Sequence, residues 1–165
     1  MHDELATALS PEIARGEIAL HDGPNGLVIS LREAGFFPSG SAGLKVDSQP
    51  ALARIAAILM ERKSDIRIEG HTDNVPIHNS QFNSNWELST ARATEMVRLL
   101  IQTYGYDAKK LSAGGYAQYH PIATNATDAG RTMNRRVDLV ILRDVSSGGV
   151  VSAPAADDSE PSPTQ

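Results

Sequence analysis

The chain has 165 residues, of which 41% are apolar and 21% charged, with a formal net charge of −5. That length suits one domain with one hydrophobic core. Cysteine is absent, which excludes disulfides, thiolate zinc sites, iron–sulfur clusters, a cysteine nucleophile and a lipidated N-terminal cysteine. The acidic balance argues against the broad basic footprint of a nonspecific nucleic-acid binder. No stretch approaches the roughly 18 unbroken apolar residues of a membrane span. The acidic start (Met1, His2, Asp3, Glu4) lacks a basic-then-apolar signal pattern, so the chain reads as soluble, without a visible address.

In chain order, Leu5, Leu9 and Ile13 recur at helical spacing, so residues 1–16 read as a linker with a short helix, weakened by Pro11. Residues 17–145 read as the domain proper. Glu17–His21 and Gly26–Leu31 alternate as strands, and the turn-rich Asp22-Gly23-Pro24-Asn25-Gly26 between them makes a hairpin. A loop follows over Phe36–Ala42. Asp47 or Ser48 caps the next helix, with Pro50 in its first turn and Leu52, Ile55, Ala56 and Leu59 as its buried stripe. Ile66–Glu69 is a strand ending at Gly70, and a polar loop runs from His71 to Ser84. A long helix spans about Trp86 to Tyr104, a short strand Leu111–Tyr116, and a strong strand Val137–Leu142. The order β-β-α-β-α-β-β implies an α/β sandwich, a mixed sheet with helices on one face. Residues 146–165 are rich in Ser, Pro and acids and lack Lys, Arg and aromatics. They read as a disordered tail, either inert or a partner-binding tether.

Three polar segments exceed what plain structure requires. Gly70-His71-Thr72-Asp73-Asn74 follows a strand, where a rigid sheet can position a ligand loop; a self-bonded Asx turn is the simpler account. On the long helix, Arg92 lies at the edge of the Ala93/Met96/Val97/Leu100 stripe. Its stem is expected against the core and its guanidinium at the rim, as in ordinary snorkelling. Asn85 sits near the helix start, where asparagine is favoured for local reasons. Gly130–Val137 enters the last strand with Arg131, Arg135 and Arg136. Strand alternation sends Arg135 and Arg136 to opposite faces, so at most one lines a given site.

Together these segments resemble the OmpA/MotB peptidoglycan-binding family over about residues 17–143. The match rests on Gly70-His71-Thr72-Asp73-Asn74, on Asn85…Leu88-Ser89…Arg92-Ala93…Val97, and on Asn134-Arg135-Arg136-Val137. Val75-Pro76-Ile77, Asn85-Trp86-Glu87-Leu88-Ser89 and Phe37…Gly40-Ser41-Ala42 resemble its flagellar-stator branch. The resemblance implies noncovalent binding of peptidoglycan through the zwitterionic end of a stem-peptide diaminopimelate. Asp73 would take its ammonium and Arg92 its carboxylate through a bidentate fork. Asn85 would shape the pocket and Arg135 would stand near the ligand. No cofactor or metal and no nucleic acid is implied. The implied partners are a second copy of the chain, the MotA stator subunit through a membrane part absent here, and flagellar basal-body components. The implied compartment is the periplasm, with a parent protein anchored in the inner membrane.

Two features depart from the family pattern: the Val75–Ser84 stretch is longer than in outer-membrane members, and Gly40 and Val75 stand where some members place polar contacts. Alternative readings are a free-standing wall-binding module, a protein-interaction module using Phe82, Trp86 and Tyr119, and an enzyme using His71, Asp73, His78 and His120. Against the enzyme, no third ligand has diagnostic spacing.

Overall fold

The computed structural model describes residues 1–144; the tail expected over 146–165 lies outside the described residues. Two short helices open the chain, α1 (His2–Ala8) and α2 (Ser10–Ala14). The hairpin strands β1 (Ile18–Gly23) and β2 (Gly26–Arg32) follow, then the single turn α3 (Glu33–Phe36). A 3-10 turn at Val46–Ser48 leads into α4 (Gln49–Arg62). Next come β3 (Ile66–His71), α5 (Asn85–Gln102), β4 (Leu111–Gly115), α6 (Asp128–Asn134) and β5 (Arg136–Leu142).

The five strands form one mixed sheet in the order β1-β2-β5-β3-β4, antiparallel except for the parallel β3–β4 pair. That parallel pair needs a crossover, and α5 supplies it. One sheet face presents Ile18, Ile29, Leu31, Ile66, Ile68, Val137, Leu139 and Ile141 to a single core. Leu52, Ile55 and Leu59 of α4 and Ala93, Met96 and Leu100 of α5 close it from the helix side. Leu5 and Leu9 at the chain start are fully buried in the same core. The opposite face carries the alternate residues Ser30, Arg67, Glu69, His71, Arg136 and Asp138, as period-two alternation requires.

Three local details differ from the sequence expectation. Ser48 precedes α4 but makes no side-chain cap; its hydroxyl donates instead to the Lys45 carbonyl at 2.6 Å. Asn85 is the first residue of α5, and the cap is Ser84, whose Oγ accepts from Trp86 N at 3.2 Å and reaches the Glu87 carboxylate. The Ser84-x-x-Glu87 spacing is that of a capping box, but here Ser84 satisfies the Trp86 N–H while its own hydroxyl donates to Glu87. The arginine-rich segment before the last strand is helical, with Thr127 Oγ1 accepting from Gly130 N at 3.1 Å.

Helix α5 lies close to the sheet because glycines clear its path. A Cβ on Gly70 would stand 2.0 Å from the Ser89 carbonyl oxygen, and one on Gly115 would stand 2.2 Å from Thr90 Oγ1. Gly70 and Gly115 are register partners in the β3–β4 pair. The two glycines therefore set the helix height above the strand end that carries Asp73.

Candidate functional site

Asp73, Asn85, Arg92 and Arg135, read from three separate segments of the sequence, line one open cavity of about 570 Å³. Glu33, Ser39, Gly40, Val75, Ile77 and Arg131 complete most of its wall. Asp73 arrives on the loop after β3, Asn85 and Arg92 on one side of α5, and Arg135 at the C-terminal end of α6.

Asp73 is only 6% exposed, yet both carboxylate oxygens are satisfied. Oδ1 accepts from Val75 N at 3.0 Å, the Asx turn expected of this segment. Oδ2 accepts from Arg135 Nη1 at 2.7 Å. Asn85 Nδ2 donates to the Val75 carbonyl at 3.1 Å and the Asp73 carbonyl at 3.4 Å, fastening this loop to the first turn of α5.

Arg92 departs from the expectation of a guanidinium at the rim: it is 1% exposed. Its Nε donates to the Ser41 carbonyl at 2.8 Å, Nη2 to the Pro38 carbonyl at 3.2 Å and Nη1 to Glu33 Oε2 at 2.8 Å. The ring of Phe37 stacks against it, with the guanidinium carbon 4.8 Å from the centroid. Burial lowers its pKa, while Glu33 opposes that shift and Arg135 adds to it. A buried cation with this many acceptors stays charged. With every guanidinium nitrogen so engaged, Arg92 does not present the free bidentate fork that the resemblance implied for a ligand carboxylate; it fixes the 38–41 loop that forms one wall of the cavity.

Glu33 is the residue that sequence reasoning missed. It bridges the two arginines, with Oε1 3.3 Å from Arg135 Nε and Oε2 on Arg92. Its placement follows from strand order: β2 pairs with β5, Arg32 opposes Arg136, and Glu33 N donates to the Arg135 carbonyl at 2.9 Å. Nothing in the local sequence reveals that pairing. Arg131, which the arginine cluster alone does not place in the site, also lines the cavity; it donates to the Asn125 carbonyl at 2.8 Å and pairs with Asp128.

The long Val75–Ser84 stretch is not loose. Asn79 Oδ1 accepts from Gln81 N at 2.9 Å and Phe82 N at 2.8 Å, and its Nδ2 donates to the Gly40 carbonyl at 3.1 Å. The two loops flanking the cavity are tied to each other at Gly40, whose φ of +68° suits glycine. Gly40 and Val75 both line the cavity, as backbone and methyl surface.

Arg136, one residue past Arg135, belongs to the other face. There Glu69, His71 and Asp138 form a group whose potential metal-binding atoms lie within 4.8 Å of one another. Arginines already hold both carboxylates: Arg67 Nε meets Glu69 at 2.8 Å and Arg136 Nε meets Asp138 at 3.0 Å. The hydrogen bond from His71 holds the Glu69 carboxyl below the usual carboxylate range, with Arg67 assisting. Of the residues considered for catalysis, Asp73 lines the cavity described above, while His71 and His120 line a separate pocket on the opposite sheet face. The folding has separated them.

A family model described as the OmpA family matches residues 36–135, more than half of the chain. Motility protein B of Bacillus subtilis is 45% identical over 71% of this chain. The chain spans only 45% of that relative's length. Among solved structures, the cell wall anchor of the T6SS from Pseudomonas aeruginosa superposes with a TM-score of 0.76 at 38% identity, covering 84% of this chain and 97% of that one. The periplasmic domain of Helicobacter pylori MotB superposes with a TM-score of 0.71 at 28% identity, covering 79% and 84% respectively. Among the described residues, no helix is long and apolar enough to cross a membrane. The family match spans the loop of Asp73, the helix of Arg92 and the approach to the last strand, and the chain belongs to the OmpA family.

Proposed function

We propose that the domain holds peptidoglycan noncovalently, by seating the zwitterionic end of a diaminopimelate in the cavity of Asp73 and Arg135. The observation that carries this reading is the convergence of Asp73, Asn85, Arg92 and Arg135 on one cavity. Asp73 accepts the ligand ammonium. Arg135, whose side chain is 31% exposed, takes the carboxylate at the mouth, and Arg92 acts from beneath. In the free protein Asp73 and Arg135 satisfy each other at 2.7 Å. A zwitterion exchanges that internal pair for two cross pairs without leaving a charge uncompensated, whereas a lone cation or anion leaves one partner unpaired. The domain binds and catalyses no reaction.

Sedimentation with purified sacculi tests the reading. Asp73→Asn, which keeps the side-chain acceptor for Val75 N, should lose most of the binding while remaining folded. Retention equal to the parent protein would overturn the assignment.

The likeness to Motility protein B supports a finer reading, the wall-anchoring part of a flagellar stator working in the periplasm as a dimer. There it acts with a MotA-type subunit and basal-body components. The likeness to a T6SS wall anchor supports a second reading, a wall anchor of another envelope assembly. A chimera joining the membrane part of a stator B subunit to this domain separates them: restored swimming in a strain lacking that subunit supports the stator reading, and wall binding without swimming supports the second.

A further inference from the structure

Beside the cavity runs a second, larger groove of about 890 Å³ that the diaminopimelate reading leaves unused. Trp86, the chain's single tryptophan, lines it and is 50% exposed. Tyr119, 61% exposed, backs the indole, with ring centroids 5.4 Å apart and an interplanar angle of 29°. Half-exposed stacked aromatics on a soluble domain mark a contact surface.

The backbone beneath both rings is anchored. Trp86 N is held by Ser84 Oγ at 3.2 Å, and Ser89 Oγ donates to the Trp86 carbonyl at 3.0 Å. The same Ser89 Oγ accepts from Ala117 N at 3.1 Å, which ties the segment leading to Tyr119 to α5. An aromatic face fixed in advance binds at lower entropic cost than one that must be ordered.

The groove's chemistry selects its occupant. Ser41, Gln81 and Thr90 offer hydroxyl and amide groups among the apolar surfaces of Phe82 and Ala91. Glu87 and Glu95 also line it, and no lysine or arginine does. Such a surface repels anionic polymers and suits a neutral, hydroxylated chain with flat apolar faces. Pyranose rings have that character: their axial C–H bonds, slightly positive, pack on the negative face of an aromatic ring.

Groove and cavity also share their walls. Ser39 and Gly40 line the cavity and Ser41 and Gly43 the groove; Asn85 lines the one and Trp86 the other. We propose that the groove binds the N-acetylated aminosugar strand of the polymer whose stem peptide occupies the cavity, with Trp86 as the stacking face. This inference rests on the peptidoglycan reading above. A polymer carrying peptide branches on a sugar strand engages both surfaces at once, and the second contact gains from high effective concentration.

Because Trp86 is the single tryptophan, the protein's own fluorescence reports the contact. Titration with a β-1,4-linked N-acetylglucosamine tetramer should shift its emission to shorter wavelength and saturate. Tyr119→Ala should weaken that response. Trp86→Ala should lower sacculus affinity about tenfold, the size of a modest aromatic hot spot, and leave affinity for a free diaminopimelate tripeptide unchanged. Trp86→Phe should recover part of the loss, and circular dichroism verifies folding of each variant. No emission change with the tetramer, or parental sedimentation by Trp86→Ala, overturns the proposal. Failure of the parent to bind the free tripeptide overturns the cavity reading instead, and the fluorescence titration then still decides the groove.

Discussion

Arg135 donates to Asp73 across the cavity mouth at 2.7 Å, although the two residues are 62 positions apart in sequence. The free site is thus filled with its own charges. A ligand must offer both signs to replace them, as the proposed zwitterionic group does.

Arg92→Ala should unfold the site as well as empty it. The variant leaves Glu33 with Arg135 as its remaining partner and strips the Ser41 and Pro38 carbonyls of their donor, a loss of about 1–3 kcal/mol for each buried polar group left unsatisfied. Urea unfolding measures it. Arg92→Lys keeps the charge but cannot serve Ser41, Pro38 and Glu33 together. Its expected cost is about 1–3 kcal/mol. A stability equal to the parent in both variants would contradict the structural role assigned to Arg92.

Gly70→Ala should be severe despite its small size. The added methyl would meet the Ser89 carbonyl oxygen at 2.0 Å, so α5 must move away from β3. Overpacking of this kind costs about 2 kcal/mol or more. The melting temperature should fall by several degrees and wall binding should fall with it, because α5 carries Arg92 and Asn85. An unchanged melting temperature would show that the helix position tolerates the shift.

Tyr106 gives an alkaline signature. Its hydroxyl donates to the Ser64 carbonyl at 2.6 Å, and burial raises its pKa from 10.0 to about 12. A group whose folded pKa is raised contributes stability that is complete below its unfolded value and lost as pH rises through the folded one. Stability should therefore decline between about pH 10 and pH 12, and Tyr106→Phe should flatten that decline. Equal slopes in parent and variant would refute the assignment.

Glu69 acts at the other end of the scale. Its pKa is lowered, chiefly by the hydrogen bond from His71. The stabilisation it brings is present above the unfolded carboxylate pKa of 4.5 and lost as pH falls through the folded value. Glu69→Gln should make unfolding less sensitive to acid below about pH 4.5. A parental acid limb in the variant would show that other carboxylates dominate.

Much of this was legible from spacing alone. The core-facing residues Ile29, Leu31, Val137, Leu139 and Ile141 and the stripe Leu52, Ile55, Ala56, Leu59 follow strand and helix periods, although Val28, Ser30, Asp138 and Val140 are buried on the other sheet face as well. The segment before β5 reads as strand approach because Asp128–Asn134 shows no apolar stripe, yet it is helical, its start marked by the Thr127 cap. Glu33 escaped notice for another reason. Its role depends on β2 lying beside β5, a pairing between residues more than a hundred positions apart that no local pattern encodes. Arg92 was placed correctly on its helix but not in depth, because the loop of Pro38 and Ser41 that covers it comes from elsewhere in the chain.

The central claim is tested most directly by calorimetric titration of the parent protein with two stem tripeptides, one ending in meso-diaminopimelate and one in lysine. The lysine peptide lacks the side-chain carboxylate that Arg135 would receive. The account predicts saturable binding of the diaminopimelate peptide and binding at least about tenfold weaker for the lysine peptide, the worth of one charge-assisted bidentate contact. Equal affinity for the two, or no binding of either, would contradict it.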